Sequence, residues 1–131
     1  MAAKSAEAQL RKAVIAAIRA AGYPVTQKDN VFPRVEVTDV TESGTIDKGD
    51  DVRELGFIVE AISHTNYDEA ASISGPIEEM LVGQGTVQMQ DFEAIDIYKE
   101  LGNEIIEVGE ADIIIIRRRT QYRANVSKKT N

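Results

Sequence analysis

The sequence contains no cysteine and no tryptophan, and it has a single histidine. Without cysteine the chain can form neither a disulfide framework nor a thiolate nucleophile, which agrees with synthesis in a reducing cytoplasm. One histidine without cysteine also provides too few ligands for the usual zinc site. Because aromatic residues make up only 5% of the chain, the predicted core consists mainly of isoleucine, valine, leucine and alanine.

Long uninterrupted apolar segments are also missing. No stretch approaches the roughly 20 apolar residues that a membrane-spanning helix needs. Residues 1–21 contain five charged side chains and no unbroken apolar centre, unlike a signal peptide. The sequence therefore predicts no membrane partner.

The common catalytic and ligand-binding motifs are absent as well. There is no nucleophile elbow of the G-x-S-x-G type, and Gly83-Gln84-Gly85 lacks the lysine and the following helix of a phosphate loop. His64 stands alone between a predicted strand and a predicted helix, where we interpret it as a polar junction residue. We therefore expect no enzymatic activity and no cofactor.

Three carboxylates come close together in the chain at Asp47, Asp50 and Asp51. Carboxylate oxygens bind hard cations such as Ca²⁺, but this spacing does not match an EF-hand loop, and we predict no metal site. The carboxylates belong to a polar connection, residues 41–51, which is either a plain solvated loop or a loop that becomes ordered on a partner. On the second interpretation they are candidate protein-interface residues.

Charge is distributed unevenly along the chain. The net charge is −7, yet residues 112–131 carry +5, which leaves −12 for residues 1–111. An acidic body argues against general or sequence-specific binding of nucleic acid. Arg117, Arg119 and Arg123 lie on one face of the last predicted strand, so they are further candidate interface residues. They either bind an acidic surface of a neighbouring copy or protect a solvated sheet edge.

Hydrophobic periodicity predicts two helices and at least four strands. The predicted elements are, in order, a helix at 4–21, strands at 31–40 and 51–63, a helix at 67–81, and strands at 92–101 and 111–124. Residues 104–108 form either a separate short strand or a continuation of the preceding one. This α-β-β-α-β-β order predicts an α+β fold with two helices packed against a single, mostly antiparallel or mixed sheet. Residues 1–124 form the predicted single domain, and residues 125–131 a disordered tail.

Apolar positions predict which strand faces are buried. In the strand at 51–63, alternating apolar residues predict one face that packs in the core. Two further apolar residues on the other face predict that it is partly covered as well. The core face comprises Leu55, Phe57, Val59 and Ala61, and the second face contains Ile58 and Ile62. In the last strand, the continuous run Ile113–Ile116 predicts a central strand buried on both faces, with Arg117–Arg123 projecting beyond the core.

Two prolines predict local features. Pro33, near the start of the strand at 31–40, indicates an edge strand or an unpaired beginning. Pro76 lies inside the second helix and predicts a kink or a short break, because proline removes a backbone hydrogen bond.

The layout of the chain resembles the tail-completion or tail-terminator proteins of tailed bacteriophages and prophages. The resemblance rests on Val31-Phe32-Pro33-Arg34-Val35 after the first helix, on a long strand that ends at Ser63, and on a helix that opens Tyr67-Asp68-Glu69-Ala70. As in that family, a polar connection, here residues 41–51, separates the first two strands. The resemblance extends over residues 8–124.

This resemblance implies a virion protein, made in the bacterial host cytoplasm, whose copies form a ring that is usually a hexamer. Such a ring caps the finished tail tube and joins it to the head-side connector or neck proteins. The implied partners are therefore further copies of the chain, the tail tube protein and the connector, and the implied mechanism is assembly. Another neck or head-completion ring component is the nearest alternative. A small-molecule-binding regulatory α+β domain is a more distant one, which would need a concave pocket.

Overall fold

The computed structural model describes residues 5–28, 30–47, 52–64, 67–82, 87–109 and 113–129, without the side chains of residues 43–47. Its helices are α1 (Ala6–Ala20) and α2 (Tyr67–Leu81), and its strands are β1 (Arg34–Asp47), β2 (Val52–His64), β3 (Phe92–Val108) and β4 (Ile114–Lys128). The observed order confirms the predicted α-β-β-α-β-β arrangement and the α+β fold class.

The four strands form one antiparallel sheet in the order β1-β2-β4-β3. Strands β1 and β2 are neighbours, as are β3 and β4, whereas α2 lies in the connection from β2 to β3. Strands β1 and β3 are therefore the two edges of the sheet. The edge position of β1 confirms the prediction made from Pro33, which directly precedes its first residue.

Helix α1 begins and ends where the local sequence predicts. The Ser5 hydroxyl accepts a hydrogen bond from the Ala8 backbone N–H at 3.2 Å, which caps the first turn. Gly22 follows the helix with a φ of +97°, a conformation that glycine reaches without steric cost, and its N–H donates to the Arg19 carbonyl. The fully buried stripe of the helix comprises Leu10, Val14 and Ile18.

Both helices pack on the same face of the sheet. Helix α1 lies mainly on β1, and α2 lies on β2 and β4. The core between helices and sheet includes the predicted residues of β2, namely Leu55, Phe57, Val59 and Ala61. Phe57 stacks on Tyr122 of β4, with ring centroids 5.2 Å apart. The opposite face, called the far face below, carries none of the described helices, yet Ile58 and Ile62 are buried there as predicted.

The hairpin of β1 and β2 is longer than predicted. Residues 41–47, expected to lie in a polar loop, continue β1 and pair with β2 from Val52 to Gly56, with register shifts along the way. Backbone groups form this ladder, so the polar side chains that indicated a loop do not prevent strand pairing at a sheet edge. The rest of the predicted loop, 48–51, lies outside the described residues.

Strand β3 also extends beyond its prediction. Gly102 and Asn103, which resemble a turn in the sequence, lie inside a single strand of 17 residues. Residues 104–108 thus continue the preceding strand, which is one of the two predicted alternatives. The turn prediction is wrong because pairing with β4 holds these two residues in extended backbone.

A register shift between Ala94 and Asp96 changes the faces of β3. The extra residue of a bulge exchanges the faces of the residues that follow it. Ile97 therefore faces the helices and is 6% exposed, whereas Ile95, at the shift, is 58% exposed. A second register shift, between Lys99 and Leu101, returns Leu101 to the far face, where it is 55% exposed. The sequence pattern placed these three residues on one face, because simple alternation cannot reveal a bulge.

Strand β4 is central, as predicted, but its buried part differs from the prediction. Within the isoleucine run, Ile113 and Ile114 are each 37% exposed, and Ile116 is fully buried. The run lies where β4 begins, paired with the last residues of β3, so it forms one end of the sheet. Residues 117–123, predicted to project beyond the core, instead pair with both β2 and β3. A run of apolar residues indicates a strand but does not show which part the helices cover.

The predicted disordered tail begins too early in the chain. Residues 125–128 belong to β4 and are in register with β2, β3 or both. Val126 is fully buried in the core. This apolar residue continues the alternation of Tyr122 and Ala124, a signal that the polar composition of the segment conceals. Residues 130–131 lie outside the described residues.

Helix α2 is continuous from Tyr67 to Leu81 and includes Pro76, so the predicted short break is absent. The Ser63 hydroxyl at the end of β2 hydrogen-bonds the Glu69 carboxylate at 2.7 Å, which fixes the first turn of the helix against the sheet. The buried side of the helix comprises Ala70, Ile73, Ile77 and Leu81. This packing on the sheet maintains the helix through the proline.

Candidate protein-interaction surface

The far face of β4 carries the predicted row of arginines at Arg117, Arg119 and Arg123. The Arg117 guanidinium lies between two carboxylates, with Glu107 of β3 at 2.8 Å and Glu60 of β2 at 3.4 Å. Burial by itself lowers the pKa of Arg117, but the two carboxylates together outweigh burial, and the pKa is raised. The side chain therefore stays charged and links three strands.

Arg123 repeats this arrangement nearer the other end of β4. Its guanidinium donates hydrogen bonds to Glu100 of β3 and to Glu54 of β2, the latter at 2.6 Å. The hydrogen bond to Glu100 is the main cause of a raised pKa at Arg123. Arg119 lies 3.8 Å from Asp39 of β1, near the outer limit of an ion pair. The three arginines together connect β4 to every other strand of the sheet.

These contacts bear on the hypothesis that Arg117, Arg119 and Arg123 bind an acidic surface of a neighbouring copy. Carboxylates of the same chain already surround the arginines, as cross-strand ion pairs that stabilise a sheet. Their role in an interface remains a prediction. It would require an arginine to replace an ion pair within its own chain by one with a carboxylate of the neighbouring copy.

The three candidate carboxylates of the polar connection cannot be placed in the same way. Asp47 is the last residue of β1 and its side chain is not described, and Asp50 and Asp51 lie outside the described residues. Their role as interface residues remains a prediction.

A cluster of exposed apolar side chains is the surface feature that the sequence interpretation missed. It comprises Ile106, Val108, Ile113 and Ile114 at one end of the β3–β4 pair, and is called the β3–β4 end below. Val108 is 74% exposed and Ile106 is 52% exposed. Single exposed apolar residues are ordinary, but a contiguous group commonly marks an interaction site. Two sequence features give rise to this cluster: an apolar run at the start of β4 and apolar residues at the end of β3. Antiparallel pairing of the two strands places them opposite each other.

Strand β3 presents further apolar and acidic side chains to solvent. Its exposed large apolar residues outside the β3–β4 end are Ile95, Tyr98 and Leu101. Its charged residues are Glu93, Asp96, Lys99, Glu100, Glu104 and Glu107. No segment among the described residues pairs with the outer edge of this strand. A long unpaired edge is a template for association with another chain.

The other side of the molecule contains a groove of about 280 Å³ between α1 and β1. It is called the α1–β1 side below, and its lining comprises Arg11, Ile15, Arg19, Val25, Thr26, Gln27, Glu36 and Val37. The Glu36 carboxylate accepts a hydrogen bond from the buried Arg34 guanidinium at 2.8 Å. The Arg19 guanidinium donates a hydrogen bond to the Val25 carbonyl at 2.9 Å. Neither Arg11 nor Arg19 forms an ion pair with a described carboxylate.

A shallow depression of about 260 Å³ lies on the far face around Gly56. Its charged lining residues are Asp39, Glu100 and Arg123, each of which already takes part in an ion pair. Small-molecule sites commonly occupy roughly 300–1,000 Å³ and contain convergent polar groups available to a ligand. The depression therefore gives little support to a small-molecule site.

His64 occupies the junction between β2 and α2, as predicted. Its ring stacks on Phe32, with ring centroids 5.2 Å apart. Within the described ranges, no group of three or more histidine, aspartate or glutamate side chains is arranged to hold a metal ion. None of the described helices has both the length and the apolar character required to span a membrane.

No protein-family model matches the chain, and no curated protein matches its sequence. The fold, however, is similar to that of a chain in a solved structure described as the virion of a native gene transfer agent particle. The alignment covers 94% of this chain and 95% of that chain, with a TM-score of 0.68 and 15% sequence identity. At this identity, the similarity establishes that the two chains share a fold over nearly their whole lengths.

Proposed function

We propose that the protein is a structural component of a phage-like virion and acts by assembly. The near-complete similarity of fold to a chain of a gene transfer agent virion carries this proposal. The alignment covers 94% of the chain, so the similarity is not limited to a common motif shared by unrelated domains. The unpaired edge of β3 and the apolar β3–β4 end supply the kind of surface that assembly requires.

The finer proposal is that copies of the chain form a ring, usually a hexamer, that caps the tail tube. The ring would join the tube to the head-side connector or neck proteins, and it would catalyse no reaction. The sequence resemblance to tail-completion proteins supports this position in the particle. The ion pairs that connect all four strands on the far face support a rigid subunit, as a ring requires.

Mass measurement and imaging of the purified protein test the proposal. We expect light scattering to detect association as the concentration rises from about 1 to 500 μM, and negative-stain images to show rings with a central hole. A chain that remains monomeric throughout this range and is absent from purified particles would contradict the proposal.

Another ring component of the neck is the alternative that the same fold allows. Labelling a tagged chain in purified particles would separate the two positions, because a tail-tube cap lies between the tube and the connector. A label at the portal side of the connector would favour the alternative. Detection in particles without any ring would retain the virion role and exclude the ring.

A further inference from the structure

The two edges of the sheet differ in their capacity to bind another chain. At the β1 edge, residues 24–26 pair with the start of the strand at Val35: the Thr26 N–H donates to the Val35 carbonyl at 3.1 Å, and the Val35 N–H donates to the Pro24 carbonyl at 2.8 Å. At the β3 edge, no described segment forms such a pairing. Exposed large apolar side chains distinguish the two edges, because Ile95, Tyr98 and Leu101 lie on β3 and none of the described residues of β1 is of this kind. The outer edge of β3, with these residues and with Glu93 and Asp96, is called the β3 side below.

The charge of β3 decides what kind of chain can bind there. The strand contains five carboxylates and one lysine. Arginines of β4 lie beside Glu100, Glu104 and Glu107, but no described cation pairs with Glu93 or Asp96. Two copies joined edge to edge through β3 would place like charges opposite each other, which is unfavourable. A two-fold contact through this strand is therefore disfavoured, and a basic partner surface is favoured.

The same chain offers such a surface on its opposite side. Arg11 and Arg19 flank the groove of the α1–β1 side, and no described carboxylate pairs with either of them. Ile15 and Val25 add apolar lining to this groove. The Glu36 carboxylate also lines the groove, but it is already paired with Arg34. Arg11 and Arg19 therefore give this surface positive charge beside a concave apolar region, and it complements an edge that is acidic and apolar.

We propose that the β3 side of one copy binds the α1–β1 side of the next copy. The strand order β1-β2-β4-β3 puts these surfaces at opposite sides of each subunit. A contact between two different surfaces is head-to-tail, and repetition of such a contact closes into a ring when the rotation between copies allows it. This inference rests on the proposed function and identifies the two surfaces through which the ring forms.

Charge exchange between the two surfaces tests the proposal. We expect Arg11→Glu with Arg19→Glu, and separately Glu93→Lys with Asp96→Lys, each to weaken self-association by roughly tenfold or more, as like charges replace attractive ones. The chain that carries all four substitutions should regain association. An equimolar mixture of the two double variants should also associate, through contacts between unlike variants.

Three controls make the result specific. Asp68→Lys with Glu79→Lys gives the same change of charge as the β3 variant at two exposed positions of α2, outside both surfaces, and should leave association unchanged. Arg11→Glu alone retains the bond from Arg19 to Val25, and should weaken association by a smaller factor. Thermal melting of each variant shows whether its subunit is folded.

The outcomes distinguish the inference from the proposed function. If the wild-type chain forms rings and both double variants do so equally well, the inference is wrong and the ring function stands. If only the β3 variant loses association, the α1–β1 side is not the partner surface and the inference is wrong. A wild-type chain that never associates would overturn the inference together with the ring.

Discussion

Tyr122 is the buried ionisable group whose environment has the clearest consequence for stability. The side chain is 2% exposed, and burial, with a smaller contribution from the Glu78 carboxylate, raises its pKa well above the ordinary value for tyrosine. A raised folded-state pKa means that the unfolded chain loses its proton first. The stability contributed by neutral Tyr122 is therefore complete below about pH 10 and decreases as the pH rises above that value.

The first prediction follows from this linkage. Above about pH 10, Tyr122 should contribute a loss of up to about 1.4 kcal/mol in unfolding free energy per pH unit. Tyr122→Phe keeps a ring to stack on Phe57 and should remove this contribution. Urea unfolding at pH 7, 10 and 11.5 measures it, and the difference between variant and wild type at pH 7 serves as the reference. Equal slopes for the two proteins above pH 10 would contradict the prediction.

The isoleucine run provides a matched pair of core and surface residues two positions apart. Ile116 is fully buried, whereas Ile114 is 37% exposed. Ile116→Ala should lower the unfolding free energy by about 2–5 kcal/mol, because it leaves a cavity. Ile114→Ala should cost roughly 1 kcal/mol or less. Denaturant unfolding of monomeric protein measures both, and similar losses for the two variants would show that the whole run is buried, as the sequence pattern predicts.

At the scale of elements, the sequence predicts the type of every helix and strand but misjudges several ends. The reason is the same for 41–47 and 102–103. The composition of a segment shows how polar its side chains are. Strand pairing, however, depends on backbone N–H and C=O groups, and every residue except proline has both. Polar stretches at the two sheet edges therefore resemble loops. Helix ends are predicted more closely, since Ser5 and Gly22 give explicit capping signals.

The candidate surface was predicted only in part for a related reason. The row at Arg117, Arg119 and Arg123 follows from simple alternation, which β4 obeys. Its carboxylate partners lie 10 residues away in sequence for Arg117 and Glu107, and as far as 119 − 39 = 80 residues away for Arg119 and Asp39. The pairing register that brings them together is not visible in composition. The β3–β4 end is exposed because the helices do not cover that part of the sheet. The extent of helix coverage cannot be deduced from a local sequence pattern.

Two glycines give different predictions for the same substitution. Gly75 lies inside α2, and a Cβ added there would meet no atom within 4 Å. Alanine favours helix over glycine by about 0.5–1 kcal/mol, but the Pro76 ring disfavours helical backbone at a preceding residue that carries a Cβ, so Gly75→Ala should change the unfolding free energy by no more than about 0.5 kcal/mol. Gly22 also has open space, but its φ of +97° is strained for alanine. Gly22→Ala should lower the unfolding free energy by about 1–2 kcal/mol.

Thermal unfolding of the two variants at equal concentration measures this contrast. Because neither added Cβ meets a distant part of the chain, the contrast reports on local backbone conformation. Stabilisation by Gly22→Ala would indicate that the residue after α1 does not adopt the left-handed conformation. A loss of about 1 kcal/mol or more in Gly75→Ala would show that the restriction from Pro76 outweighs the helix preference of alanine.

At the scale of the whole molecule, assembly should make stability depend on protein concentration. Subunit contacts form only between folded chains, so mass action stabilises the fold by up to about 2.7 kcal/mol at a hundredfold excess over the dissociation constant. For a chain of this size, that corresponds to a rise in Tm of several degrees. We expect the Tm of the wild-type chain to rise in this way between about 1 and 100 μM protein.

Val108→Asp should abolish that rise without affecting the isolated subunit, because the side chain is 74% exposed and belongs to the β3–β4 end. At about 1 μM the variant and wild type should therefore melt alike, and at about 100 μM only the wild type should be stabilised. If contacts between charges contribute as proposed, about 0.5 M salt should reduce the wild-type rise by screening them. A Tm independent of concentration in the wild type would mean that the apolar end and the unpaired β3 edge do not bring copies of the chain together.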